Sequence, residues 1–179
     1  MKPIIIIDSF KTVVFHNSKK PLVICDIDHT FIRSEFGHSF YNDILKNSIN
    51  NPAELNEAVL YMIEKSIKIG LVKQTDKEGF SIMLQKIQKL GGKLIFLTAR
   101  SQLYQQKTIE DLKRAGLEEL EKYEIHYTGN EISKGEYIKK HNLLEGYEYH
   151  IFIDDIIHFL ESALKFYPDM NCYLFKYKV

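Results

Sequence analysis

Short apolar-rich runs recur along the chain, and stretches with helical periodicity lie between them. LVIC (22–25), KLIFL (93–97), IHYT (125–128), HIFI (150–153) and CYLFKY (172–177) have strand length, and Pro3–Ile7 reads as a further short strand. A bare run such as LVIC, with no polar alternation, suggests a strand buried on both faces, as in a parallel sheet. Between the strands, Asp8 and Ser9 are placed to cap a short helix reaching about Phe15. A second helix is expected from about Asp76 to Leu90. Its apolar positions Phe80, Met83, Leu84 and Ile87 follow the i, i+3, i+4, i+7 spacing of one buried face, and Gly91 and Gly92 stop it. Ser101 is positioned to cap a helix that ends near Ala115 and Gly116. Ser133 and Glu136 have capping-box spacing, so another helix begins at Lys134. A last one is expected over Ile156–Phe166.

The pattern changes between Ser34 and Thr75. SEFGHSFYNDILKNSINN is polar and carries no strong period, and Pro52 to Ile69 then reads as one helix closed by Gly70. The expected architecture is therefore α/β: a doubly wound, mostly parallel, Rossmann-like sheet built from 1–33 and 76–179, with a small helical insertion at 34–75. No internal repeat or low-complexity segment interrupts it.

Composition narrows the function classes. A chain of 179 residues holds one compact domain, and 45% apolar residues is ordinary for a folded protein. Twenty-four Lys and Arg balance 24 Asp and Glu, so no excess of positive charge points to general nucleic-acid binding. The apolar run in MKPIIIIDSF has only four residues, too short for a membrane span or a secretory signal, and a cytoplasmic protein is the expectation. Cys25 and Cys172 sit in separate apolar runs and read as buried, reduced thiols.

In a parallel α/β sheet the ligand sits at the carboxyl ends of the strands, near the point where the strand order reverses. Those ends read CDIDHT, LTARS and IDD, and a helix starts at SKGE. Asp26 and Asp28 follow LVIC, Thr98 follows LIFL, Asp154 and Asp155 follow HIFI, and Lys134 opens a helix. This set suits phosphoryl transfer. A carboxylate attacks a phosphate monoester only where positive charge offsets their repulsion. Magnesium prefers hard oxygen ligands such as Asp26 and Asp154, Lys134 adds charge, and Thr98 adds a neutral donor. A second carboxylate two residues beyond the first can protonate the leaving oxygen and then deprotonate water. Crowded carboxylates repel one another, so one should keep its proton more readily than usual, which would suit Asp28 as the acid. Each piece alone has a bland reading: a D-x-D turn, a Thr cap, a solvated Lys, an Asp pair capping the next helix. Their occurrence in order, at one edge of one sheet, favours chemistry.

These residues resemble the motifs of the haloacid dehalogenase superfamily of phosphohydrolases over nearly the whole chain from Leu22, apart from the insertion. CDIDHT is similar to its first motif, LTAR to the second, SKGE to the third and IFIDD to the fourth. YTG before the lysine and IDD after it are also similar to a little-characterised bacterial branch of that superfamily. The resemblance implies a central strand before Asp26 and a cap-type insertion. It implies Asp26 as nucleophile and metal ligand, Asp28 as general acid/base with its carbonyl on the metal, and Thr98 and Lys134 on the phosphoryl group. Asp154 and Asp155 would complete the magnesium site. The second aspartate argues for phosphate esters rather than haloacids. His29 departs from the pattern, where Gly or Asn is more usual, although His tolerates positive φ. Candidate substrate contacts are His29, Arg33 and Arg100, with Glu35, His38 and Tyr41 in the insertion. The expected function is a magnesium-dependent phosphatase acting on a phosphorylated substrate through an aspartyl-phosphate. A phosphotransferase or a non-catalytic binding protein on the same scaffold are the alternatives.

Overall fold

The computed structural model describes residues 1–15, 20–34, 72–129 and 131–176. The expected helix at Pro52–Ile69 and the candidates Glu35, His38 and Tyr41 lie outside them. The strands are β1 (Ile5–Ile7), β2 (Pro21–Cys25), β3 (Ile32–Ser34), β4 (Val72–Gln74), β5 (Lys93–Thr98), β6 (Glu124–Tyr127), β7 (Tyr149–Asp154) and β8 (Asn171–Phe175). The α-helices are α1 (Lys77–Lys89), α2 (Gln105–Arg114), α3 (Lys134–Lys140) and α4 (Ile157–Phe166).

Six strands form one sheet in the order β1-β8-β7-β2-β5-β6, and every neighbouring pair is parallel. The chain runs from β2 outward through β5 and β6, then returns to the other side of β2 for β7 and β8. The order therefore reverses at β2, and the carboxyl ends of β2 and β7 flank the crevice where such folds bind ligands.

Side chains alternate across the sheet. Val23, Cys25, Leu94, Phe96, Ile151 and Ile153 face a core that takes in Phe80, Met83 and Ile87 of α1 and Leu112 of α2. Leu22, Ile24, Ile95, Leu97 and Phe152 face the opposite core, with Ile138 of α3 and Leu160, Ala163 and Leu164 of α4. Helices thus cover both faces, which is why LVIC has no polar position to spare. Cys25 and Cys172 are both buried and free. No helix among the described residues is long and apolar enough to cross a membrane.

Helix α1 lies within the expected bounds and is capped by Asp76, whose carboxylate accepts from Gly79 N and also from Ser9 Oγ and Phe10 N, tying the N-terminal segment to the helix. The Ser133–Glu136 capping box is present on α3. Three local expectations change. The helix after Ser9 is a single 3-10 turn, Phe10–Thr12. Ser101 caps another 3-10 turn, Gln102–Tyr104, before α2 starts. A two-stranded antiparallel pair, β3 with β4, was not foreseen, and it brackets the undescribed segment 35–71.

Candidate active site

Strand β2 delivers Asp26 to the crevice, with Asp26 N donating to Ile153 O at 2.9 Å and so locking it to β7. The chain then turns sharply. Ile27 O accepts from both Phe31 N and Ile32 N, His29 N donates to Ile32 O, and His29 takes a left-handed backbone with φ 58°. The positive φ expected of this position is present.

Lys134, the first residue of α3, is fully buried and reaches across the crevice. Its Nζ donates to Asp26 Oδ1 at 2.5 Å and to Asp154 Oδ2 at 2.7 Å, with the Phe159 ring 4.6 Å behind it. A buried ammonium needs such partners to remain charged. They hold its pKa above the ordinary lysine value although burial works against the charge. Asp154 Oδ1 accepts from Ile156 N, and Thr30 Oγ1 donates to Asp155 Oδ1. Thr98, at the end of β5, is buried and its Oγ1 accepts from Arg100 N at 3.1 Å.

Carboxylate oxygens of Asp26, Asp154 and Asp155 all lie within 4.8 Å of one another. Burial, and then repulsion by Asp154 and Asp28 against the pull of Lys134, pushes Asp26 up to about 7. Burial and the Asp154 charge push Asp155 well above the usual carboxylate range, and burial raises Asp154 as well. Three hard oxygen donors with one ammonium between them make an under-neutralised anionic cluster. Its donor chemistry fits magnesium and does not fit a softer metal.

Asp28 corrects an expectation. Crowding was expected to let one carboxylate keep its proton more readily than usual, which would suit Asp28; instead the raised pKa values fall on Asp26, Asp154 and Asp155. Burial alone would raise Asp28 too, but the Arg100 guanidinium outweighs it and holds Asp28 below the usual value. Arg100 Nε donates to Asp28 Oδ2 at 2.8 Å and Nη2 to Oδ1 at 2.7 Å, a bidentate pair. Arg100 is itself only 2% exposed, and its remaining nitrogen, Nη1, donates to Asp111 Oδ2 and Thr108 Oγ1 on α2. All three of its side-chain nitrogens bond protein partners, on residues that the sequence reading did not connect with it. His29 is buried in the turn, and Arg33 is half-buried on β3 opposite Lys73. Asp26, Asp154, Asp155 and Lys134 are therefore together, with Asp28 on the turn after β2 and Thr98 at the end of β5. Sequence reasoning passed over Asp111, Thr108 and Thr30. Asp111 carried one signal: with Thr108 and Leu112 it occupies the buried stripe of an otherwise polar helix.

Comparison with known proteins matches residues 6–178 to a single family model, described as Protein of unknown function (DUF2608). The chain belongs to that family. No curated protein matches. Among solved structures, a hydrolase from Streptococcus pneumoniae TIGR4 is 13% identical with a TM-score of 0.52, covering 89% of this chain and 94% of that one. The HAD domain of effector protein Lem4 from Legionella pneumophila, an inactive mutant, is 16% identical with a TM-score of 0.49, covering 90% and 86%. The likeness to the streptococcal hydrolase is one of fold, and it supports the α/β, Rossmann-like assignment.

Proposed function

We propose that the chain is a magnesium-dependent phosphatase of the haloacid dehalogenase type, hydrolysing a phosphate monoester through an aspartyl-phosphate on Asp26. The observation that carries this reading is the buried Lys134 bridge between Asp26 and Asp154, with Asp155 in the same cluster, at the strand ends where the sheet order reverses. Asp26 is both the best-buried carboxylate of the D-x-D pair and the one with a cation on one oxygen, which leaves the other oxygen for attack.

Magnesium held by Asp26, Asp154 and Asp155 would supply the positive charge that lets an anionic nucleophile approach an anionic ester. An Asp26 oxygen attacks phosphorus, the ester P–O bond breaks, and the leaving oxygen takes a proton from Asp28. Water then attacks phosphorus, Asp28 removes its proton, and the acyl-phosphate bond breaks to return Asp26 and inorganic phosphate. Lys134 and the Thr98 hydroxyl steady the transferring group. Asp28 rests ionised beside Arg100, and the arriving phosphoryl charge favours its protonation.

The test is hydrolysis of para-nitrophenyl phosphate with magnesium by wild type and by Asp26→Asn, with thermal unfolding alongside. Asn is close in shape but a poor nucleophile, so turnover should vanish while the fold survives. Turnover near wild type in the variant would remove Asp26 from the nucleophile role.

A further inference from the structure

Among the described residues, the crevice chemistry leaves a buried polar group unused: Arg100 with Asp111 and Thr108 behind it. Asp111 is fully buried in the middle of α2, where a carboxylate is costly unless it has a task. Its Oδ2 accepts from Arg100 Nη1 at 2.8 Å, and Thr108 Oγ1 accepts from the same nitrogen at 3.2 Å while donating to Tyr104 O. From this anchored base the guanidinium fork grips both oxygens of Asp28. Arg100 N also donates to Thr98 Oγ1, so one residue fixes the carboxylate of one strand end and the hydroxyl of the next. The Asp28 side chain is 35% exposed, against 2% for Arg100 and 0% for Asp111. The pair is therefore layered, with the carboxylate facing the opening and its support sealed inside.

We infer that Arg100 is a positioning residue, anchored by Asp111 and Thr108 on α2, that fixes the Asp28 carboxylate for proton transfer to the leaving group. This rests on the phosphatase reading above. A floppy carboxylate at an exposed rim would sample many rotamers, and a bidentate fork restricts it to one. Arg100 does not touch the substrate; it acts through Asp28.

The leaving group separates this role from a merely structural one. An alkyl oxygen needs a proton to depart, whereas a nitrophenolate leaves without help. The value of kcat/KM reports steps through departure of the leaving group, so it isolates the acid role. Glycerol phosphate and para-nitrophenyl phosphate are compared in wild type, Arg100→Lys and Asp111→Asn. Lysine keeps the charge but lacks the planar fork that holds both Asp28 oxygens while a further nitrogen stays on Asp111. Each variant should lose about tenfold more kcat/KM on the alkyl than on the aryl ester, a part of the roughly 10²–10⁴-fold that acid–base assistance supplies. In an Asp28→Asn background the selective loss should disappear. Thr108→Val, which removes one bond from the anchor, carries the same readout if the Asp111 variant fails thermal unfolding. Equal losses on both esters with a raised KM would make Arg100 a phosphate binder and overturn the role. Selective loss that persists in Asp28→Asn would overturn it too. Wild type that hydrolyses only the aryl ester overturns the role alone, and wild type that hydrolyses neither overturns the phosphatase reading itself and the role with it.

Discussion

The most constrained single residue in the turn after β2 is His29. At φ 58° its Cβ crowds the following carbonyl, a conformation that costs an ordinary L-residue about 1–2 kcal/mol and that Asn tolerates best after Gly. The turn has no slack, because Ile27 O accepts two amides and His29 N is bonded to Ile32 O at 2.7 Å. His29→Val should therefore be less stable than His29→Asn by about 1–2 kcal/mol, read by thermal unfolding. Equal stabilities would mean that the turn relaxes. At this scale the sequence carried Asp26, Thr98, Lys134 and Asp154 clearly, since each directly follows an apolar run or a capping signal. It did not carry the charge state of Asp28. That depends on Arg100, 72 residues away, which meets it only because β5 lies beside β2. Spacing along the chain holds no record of that adjacency, so the crowding argument could not weigh the Arg100 guanidinium against the neighbouring carboxylates.

Elements with strong local signals were legible, and weak ones were not. Helix α1 runs within its expected bounds, Asp76 to Leu90, and α3 starts at its capping box. Strands β3 and β4 have three residues each, and IRS and VKQ offer neither a β-branched run nor a turn signal; they form because they pair with each other. The element that matters most to the site is α3, because it carries Lys134. Its seating on α4 depends on Gly135, whose N donates to Ser162 Oγ at 3.0 Å. A Cβ there would stand 2.1 Å from the Ser162 carbonyl oxygen, which is backbone and cannot swing away. Gly135→Ala should force α3 off α4, costing about 1–3 kcal/mol as overpacking typically does, and should lower turnover by displacing the adjacent Lys134. Unfolding and activity both at wild-type levels would show that α3 does not position Lys134 through this contact.

At the scale of the whole molecule, the sheet gathers more negative charge at one edge than it neutralises, and the consequence is a pH-dependent stability that magnesium should reverse. Asp26, Asp154 and Asp155 all have raised pKa values from burial. A carboxyl that holds its proton more tightly when folded stabilises the fold below its unfolded value, 3.8, and loses that contribution as pH rises through its folded value, about 7 for Asp26. Asp28 works in the opposite sense, because Arg100 lowers it; its contribution is present above 3.8 and lost only in more acidic solution. Between about pH 4 and pH 7 the raised carboxyls therefore dominate, and the metal-free protein should become less stable as pH rises. Magnesium binds the ionised carboxylates, so it competes with the same protons. With Asp26 near 7, moving from about pH 8 to about pH 5 should weaken magnesium binding by roughly a hundredfold through that group alone. At a magnesium concentration about a hundred times the Kd at the higher pH, binding adds about 2.7 kcal/mol. For a domain of this size that is a rise in Tm of roughly 5–10 °C. The measurement is thermal unfolding with and without magnesium at both pH values, for wild type and Asp154→Asn. A large magnesium shift at the higher pH, a small one at the lower, and little shift in Asp154→Asn is the expected pattern. It needs no substrate, so it tests the carboxylate cluster separately from the chemistry. An equal shift at both pH values, or an undiminished shift in Asp154→Asn, would place any magnesium away from these three carboxylates.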